Sequence, residues 1–249
     1  MSDRALQDDV IRYLTDAGAR AGGPTRMPIL PAEAARAGRF ANFLARHYYR
    51  DRLARSFQYS YAFREETGRS AEQAADSPEF DSFLGSCVLG SLDSAQRVGE
   101  IARNHMLAVE HPAPWWNDLI DYEYAYFLQA ATSELTPLSI FPAQGRSALI
   151  RQFDWAMPEL LSRVRGAPSS ASVIRSDDLH RQVTLLFSRN SEGRLFVVEV
   201  EDTVAAVLNV LNGSRDVGEI ATLAGVTVEE VKQVISALAN IGAVVPSSN

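Results

Sequence analysis

The stretch that decides the fold is RLFVVEVEDTVAAVLNVLNGSRDVGEIATLAGVTVEEVKQVISALANIGAVV, residues 194 to 245. It begins with Leu195, Phe196, Val197, Val198 and Val200, a run rich in β-branched and aromatic residues that reads as a strand. Asp202 is placed to cap a helix whose inner face is Val204, Val207, Leu208 and Leu211, and Asn212-Gly213 ends it. Asp216 or the residue beside it opens a second helix, roughly Val217 to Ala224, that Gly225 closes. Thr227 with Glu230 three residues on has the spacing of a capping box. The helix that follows carries Val228, Val231, Val234, Ile235, Leu238 and Ile241 on one stripe, closes at Gly242 and leads into an apolar tail. A strand, a helix, a helix-turn-helix and a closing strand together make a winged-helix-like module.

Upstream, HRQVTLLFSR (180–189) and RLFVVEV (194–200) flank NSEG, an Asn/Gly-bearing hairpin turn. SALIRQFDW (147–155) alternates in part and supplies a third strand. PELLSRV, opened by Met157-Pro158, is a short helix, and GAPSSAS is a turn. Residues 147–249 are therefore expected to form a three-stranded antiparallel sheet plus three helices. PLSIFPAQGRS (137–147) is rich in Pro, Gly and Ser and reads as the loop before that domain.

Residues 1–140 read as all-helical. Residues 3–21 place Leu6, Val10, Ile11 and Leu14 on one face, and Gly22, Gly23 and Pro24 end that helix before the MPILP connector. Pro31 to Thr67 is helical again, as one helix or two, with Phe40, Phe43, Tyr48, Tyr49, Phe57, Tyr59, Tyr61 and Phe63 read mainly as core. A break at Ser77-Pro78 precedes helices at Pro78 to Leu89 and Asp93 to Val109. HPAPWW (111–116) cannot continue the latter, because its two prolines remove donors and restrict their predecessors. Asn117 is placed to cap a helix from Asp118 to Ser133. The fold class is α+β: an N-terminal helical domain (1–140), then a winged-helix-like domain (147–249).

The formal net charge of −7 argues against a nucleic-acid surface, where phosphate contacts supply most of the affinity. No apolar run is long enough to span a bilayer, and MSDRALQDD is not a secretory signal. The single cysteine, Cys87, rules out an intrachain disulfide framework and fits a reducing cytoplasm. His47, His105, His111 and His180 form no compact ligand pattern, and Asp118, Asp121 and Glu123 read as acids complementing a helix dipole. No P-loop, GxGxxG or GxSxG is present, so no catalytic set, metal site or cofactor site is expected in this chain.

Two binding readings compete for the module. As a winged-helix DNA-binding transcriptional regulator it would present the last helix to phosphate, where Glu229 and Glu230 repel and Lys232 alone attracts. As a peptide binder it would accept a strand along Leu195, Phe196, Val197, Val198 and Val200, with Val231, Val234, Ile235 and Leu238 lining the groove. Packing without any ligand is the third reading.

The stretch from Val200 to Val245 resembles the helices of PqqD-like recognition elements, which bind leader peptides of ribosomally synthesised natural products as an added strand. DLIDYEYAYFLQAAT (118–132) resembles a helix of the TglI- and MbnC-like partner subunits of multinuclear non-haem iron enzymes that oxidise peptide cysteines. That resemblance implies a non-catalytic cytoplasmic subunit, heterodimeric with an iron enzyme that supplies all the iron. Such a subunit would present a precursor peptide to the enzyme, as in 3-thiaglutamate biosynthesis. Trp115 and Trp116, with Asp118, Asp121 and Glu123, are then the expected docking residues for the enzyme.

Overall fold

The computed structural model describes residues 3–21, 31–110, 112–132, 141–145, 148–166 and 178–246 of the 249-residue chain. His111, the Gly22-Gly23-Pro24 break with most of the MPILP connector, the GAPSSAS segment beyond Gly166 and most of the 137–147 stretch lie outside them. The fold is α+β, with helices in the N-terminal part and a three-stranded antiparallel sheet nearer the C-terminus.

The helical part comprises α1 (Asp3–Thr15), α2 (Ala17–Ala21), α3 (Pro31–Ser56), α4 (Arg64–Thr67), α5 (Pro78–Phe83), α6 (Leu92–Leu107) and α7 (Trp116–Ala131), with 3-10 turns at Ser60–Phe63 and Ala71–Asp76. Several expected boundaries shift. The helix from Pro31 ends at Ser56, and the one from Pro78 ends at Phe83. The expected α1 face is turned: Val10 and Ile11 are exposed while Tyr13 is buried. The cause is a tether, since Asp16 bridges Val88, and Ala17 N–H donates to Cys87 C=O at 2.9 Å.

Helix α7 starts two residues earlier than its sequence suggests, at Trp116 rather than at Asp118 after an Asn117 cap. The two indoles set that start. Trp115 and Trp116 are 1% and 2% exposed and pack on Phe63 at 5.4 and 6.1 Å, while Trp116 Nε1 donates to Met106 C=O at 3.0 Å. Burying both rings anchors the chain where the prolines release it.

The remaining elements are β1 (Ala143–Gln144), β2 (Leu149–Phe153), α8 (Met157–Gly166), β3 (Val183–Arg189), β4 (Leu195–Glu199), α9 (Asp202–Val210), α10 (Val217–Ala224), α11 (Val228–Ala239) and β5 (Val244–Val245). The sheet order is β2-β3-β4, all antiparallel. Part of the stretch expected as a loop is the strand β1, which pairs with the closing strand β5. Asp202 is the first residue of α9 rather than its cap; Glu201 holds that position without a side-chain bond.

The sheet stands between two cores because strand side chains alternate. Val183, Leu185 and Phe187 join the large core with α3, α6, α7 and α8, whereas Leu186 joins a smaller one with α9, α10, α11 and β5. Tyr122 of α7, Phe153 of β2 and Phe187 of β3 meet mutually, with centroids 5.3–6.4 Å apart. The helical half and the sheet thus share one hydrophobic core across the expected 140/147 boundary.

Gly242 fixes the last helix against the hairpin. Its φ is +75°, and an added Cβ would lie 2.4 Å from the Arg189 carbonyl oxygen and 2.8 Å from Asn190 Cα. Both neighbours are backbone, so neither can rotate away. Gly242→Ala is expected to destabilise the chain by about 2–4 kcal/mol, from left-handed strain plus overpacking. Urea unfolding checks it, and a midpoint equal to wild type would show that the hairpin yields freely.

Candidate peptide-binding edge

The β3–β4 hairpin is set by its turn. Asn190 Oδ1 accepts the N–H groups of Glu192 (3.1 Å) and Arg194 (3.0 Å), Gly193 takes φ +81°, and its N–H returns to Asn190 C=O at 2.9 Å. An Asn side chain that mimics a backbone turn and a Gly free to adopt positive φ are what this geometry requires. The register then follows, with Leu186 opposite Val198 and Phe187 opposite Val197.

Hydrogen bonds flanking the ladder show which backbone groups are free. Val200 N–H donates to Thr184 C=O at 2.9 Å and Asn190 N–H to Arg194 C=O at 3.1 Å. Residues facing a partner alternate along an antiparallel strand. Phe196 and Val198 therefore bond inward to β3, while Leu195, Val197 and Glu199 aim N–H and C=O outward. No described strand pairs with that outer edge. On one side of the sheet lie Phe196, Val198 and Val200, the side of α9 to α11; on the other lies Val197, against the large core. Val198 is 40% exposed, and Phe196 is half-buried under the Arg194 guanidinium, 5.3 Å from its centroid.

Side chains cap the two helices of the helix-turn-helix, and the Thr227–Glu230 box forms at the spacing the sequence predicts. Asp216 with Glu219, and Thr227 with Glu230, each form a complete capping box, and Gly225 closes α10 at φ +70°. The groove expectation divides. Val231 and Leu238 are buried in the small core and line no surface, because α11 turns them towards α9 and α10. Val234 and Ile235 are only partly buried and pack against the same small core. Arg181 bridges Glu199 at the edge (2.8 Å) and Glu159 of α8 (3.2 Å), an arrangement with no signal in the sequence.

At the start of α11, Glu229 pairs weakly with Lys232 at 3.7 Å. The N–H and hydroxyl of Thr227 hold the Glu230 carboxyl below its usual range. Both acids are exposed, so this helix start repels an incoming phosphate.

The expected enzyme-docking residues are engaged within the chain, and this corrects their assignment as surface anchors. Trp115 and Trp116 are core. Asp118 accepts the N–H groups of Asp154 (2.7 Å) and Trp155 (3.0 Å), tying α7 to the turn after β2, and burial raises its pKa. Asp121 forms a two-point ion pair with Arg103 of α6. Glu123 is fully buried, accepting the N–H groups of Tyr59 (2.6 Å) and Ser60 (3.2 Å), and burial pushes its carboxyl up to about 8. The lone acid inside the run YEYAYFLQAA (122–131) was the available signal for that interior role.

Cys87 is buried, and desolvation raises its thiol to about 11, the behaviour of an inert core cysteine. His105 faces an open cleft of about 360 Å³ with Glu79, Arg97, Glu100 and Asn104; burial and the nearby Arg69 lower its pKa. Among the described residues no group of three or more His, Cys, Asp or Glu side chains is placed to hold a metal ion, and no helix is long and apolar enough to cross a membrane. No protein-family model and no curated protein matches the chain.

Proposed function

We infer that the chain is a non-catalytic recognition subunit that holds an extended precursor peptide along the outer edge of β4 and presents it to a partner enzyme. The observation that carries this reading is the unpaired edge at Leu195, Val197 and Glu199, flanked by the partly exposed apolar side chains of Phe196 and Val198. Main-chain bonds to an added strand supply affinity, and alternating side chains supply selectivity. The resemblance to PqqD-like elements adds the ligand class, a leader peptide. The second resemblance adds the partner class, a multinuclear non-haem iron enzyme in a heterodimer, with iron bound by that enzyme. Holding the peptide raises the effective concentration of its reacting end at the partner's metal.

Val197→Pro tests the edge. The substitution removes an outward N–H and leaves the β3–β4 bonds intact, which an edge strand tolerates. A labelled peptide encoded beside the gene is expected to bind the wild-type chain, and Val197→Pro to weaken it by about tenfold, one lost main-chain bond's worth. Equal binding by the variant, or no binding by either, sinks the reading. The DNA-regulator alternative predicts instead affinity for duplex DNA that falls steeply with salt, against the acidic start of α11.

A further inference from the structure

Helix α3 has two apolar faces, and the fold uses one of them. Ala41, Ala45 and Tyr49 are buried against the core. On the opposite side, Arg36, Phe40, Phe43, His47 and Arg50 follow a 4-3-4-3 spacing, with Arg39 beside them, and all six are exposed. At 100° per residue the six fall within an arc of about 100° and extend over ~21 Å. Phe40 and Phe43 are 51% and 61% exposed, and the rings of Phe40, Phe43 and His47 are stacked in succession at 6.5 and 6.2 Å. A helix face that only met water would be polar here.

The charge along this face says what covers it. Six arginines and two acids lie within α3, in a chain whose net charge is −7. Arg46 is turned to Asp81, Arg55 to Asp51, and Arg50 also reaches Asp76 at 3.3 Å. Arg36 and Arg39 have no ion pair among the described residues. A second copy laid antiparallel would set Arg36 against Arg50, like against like. A membrane-lying helix wants a broad apolar face with cations at its borders, whereas here arginines occupy both ends of a strip only two phenylalanines long. The 4-3 spacing is that of a helix–helix seam.

We propose that the outer face of α3 docks an amphipathic helix of a partner protein, apolar along its centre and acidic at its borders. The face shares no residue with the β4 edge and stands without the peptide reading.

The probe is a designed helix of about 20 residues with leucines at 4-3 spacing and glutamates beside them, compared with a lysine version of the same leucine pattern. With the full-length chain, fluorescence anisotropy is expected to show the glutamate helix binding at least about tenfold more tightly than the lysine helix. Phe43→Ser and the pair Arg36→Glu, Arg39→Glu should each weaken it by about tenfold, with unchanged circular dichroism. Val197→Pro should leave it unaltered, which separates this surface from the β4 edge. No binding, equal binding of the two helices, or indifference to Phe43→Ser overturns the proposal. So does sedimentation showing a dimer that Phe43→Ser dissolves, or Phe43-dependent binding to phosphatidylglycerol vesicles; these would assign the face to a second copy or to a membrane.

Discussion

Replacing Glu123 by Gln should remove most of the loss of stability that the wild-type chain suffers as pH rises. The folded-state pKa is about 8 against an ordinary 4.5, with desolvation as the cause. Between those values the carboxyl is protonated in the folded chain and ionised in the unfolded one, so the folded state binds the extra proton. Stability from this group is complete below pH 4.5 and declines as pH rises to about 8. The decline amounts to several kcal/mol, at ~1.4 kcal/mol per pH unit. Glu123→Gln keeps an acceptor for the N–H groups of Tyr59 and Ser60 and has nothing to titrate, so its stability relative to wild type should improve steadily across the window. Glu123→Ala strands both donors in the core and should lose about 3–5 kcal/mol at low pH. Chemical unfolding at several pH values measures both, and parallel wild-type and Gln curves would refute the buried proton.

The second large effect is expected on cutting the chain. Residues 147–249 alone should not fold into a stable domain, although their element order is that of a complete winged-helix-like module. Cut away from α7, the fragment exposes Val183, Leu185, Phe187, Phe153 and Leu160 together, each of which contributes about 1.5–3 kcal/mol by burial. The fragment is expected to bind a hydrophobic dye and to show collapsed amide dispersion, and co-expression with residues 1–146 should rescue it. A cooperative transition of the isolated fragment at the whole-chain melting temperature would show two independent domains.

Local signals made the C-terminal module legible. Caps, turn residues and strand alternation lie within a few positions of one another, and the box of Thr227 with Glu230 forms as spaced. The hairpin turn at Asn190 to Gly193 was equally local. What the sequence hid was partnership at long range. Nothing near Trp115 tells that Phe63 receives it, and nothing near Asp118 tells that the Asp154 and Trp155 N–H groups do. The groove residues were half legible: the α11 stripe was visible as a stripe, but which of its residues are fully buried depends on how the helix is rolled against α9 and α10. Val231 and Leu238 went inward for that reason. The outer face of α3 was readable, since Phe40, Phe43 and His47 stand opposite Ala41, Ala45 and Tyr49, yet a dense aromatic set invites a core reading first.

Because β3 is walled by one core on each side, β4 is the margin of a partition between two interiors. Any segment lying along that margin extends the partition, and its own side chains point alternately to both sides. Alternate positions would look towards the large core, beside Val197, and towards the small core, beside Phe196 and Val198. The helical half would then be a reader of sequence in its own right, sampling every second residue of whatever the edge holds.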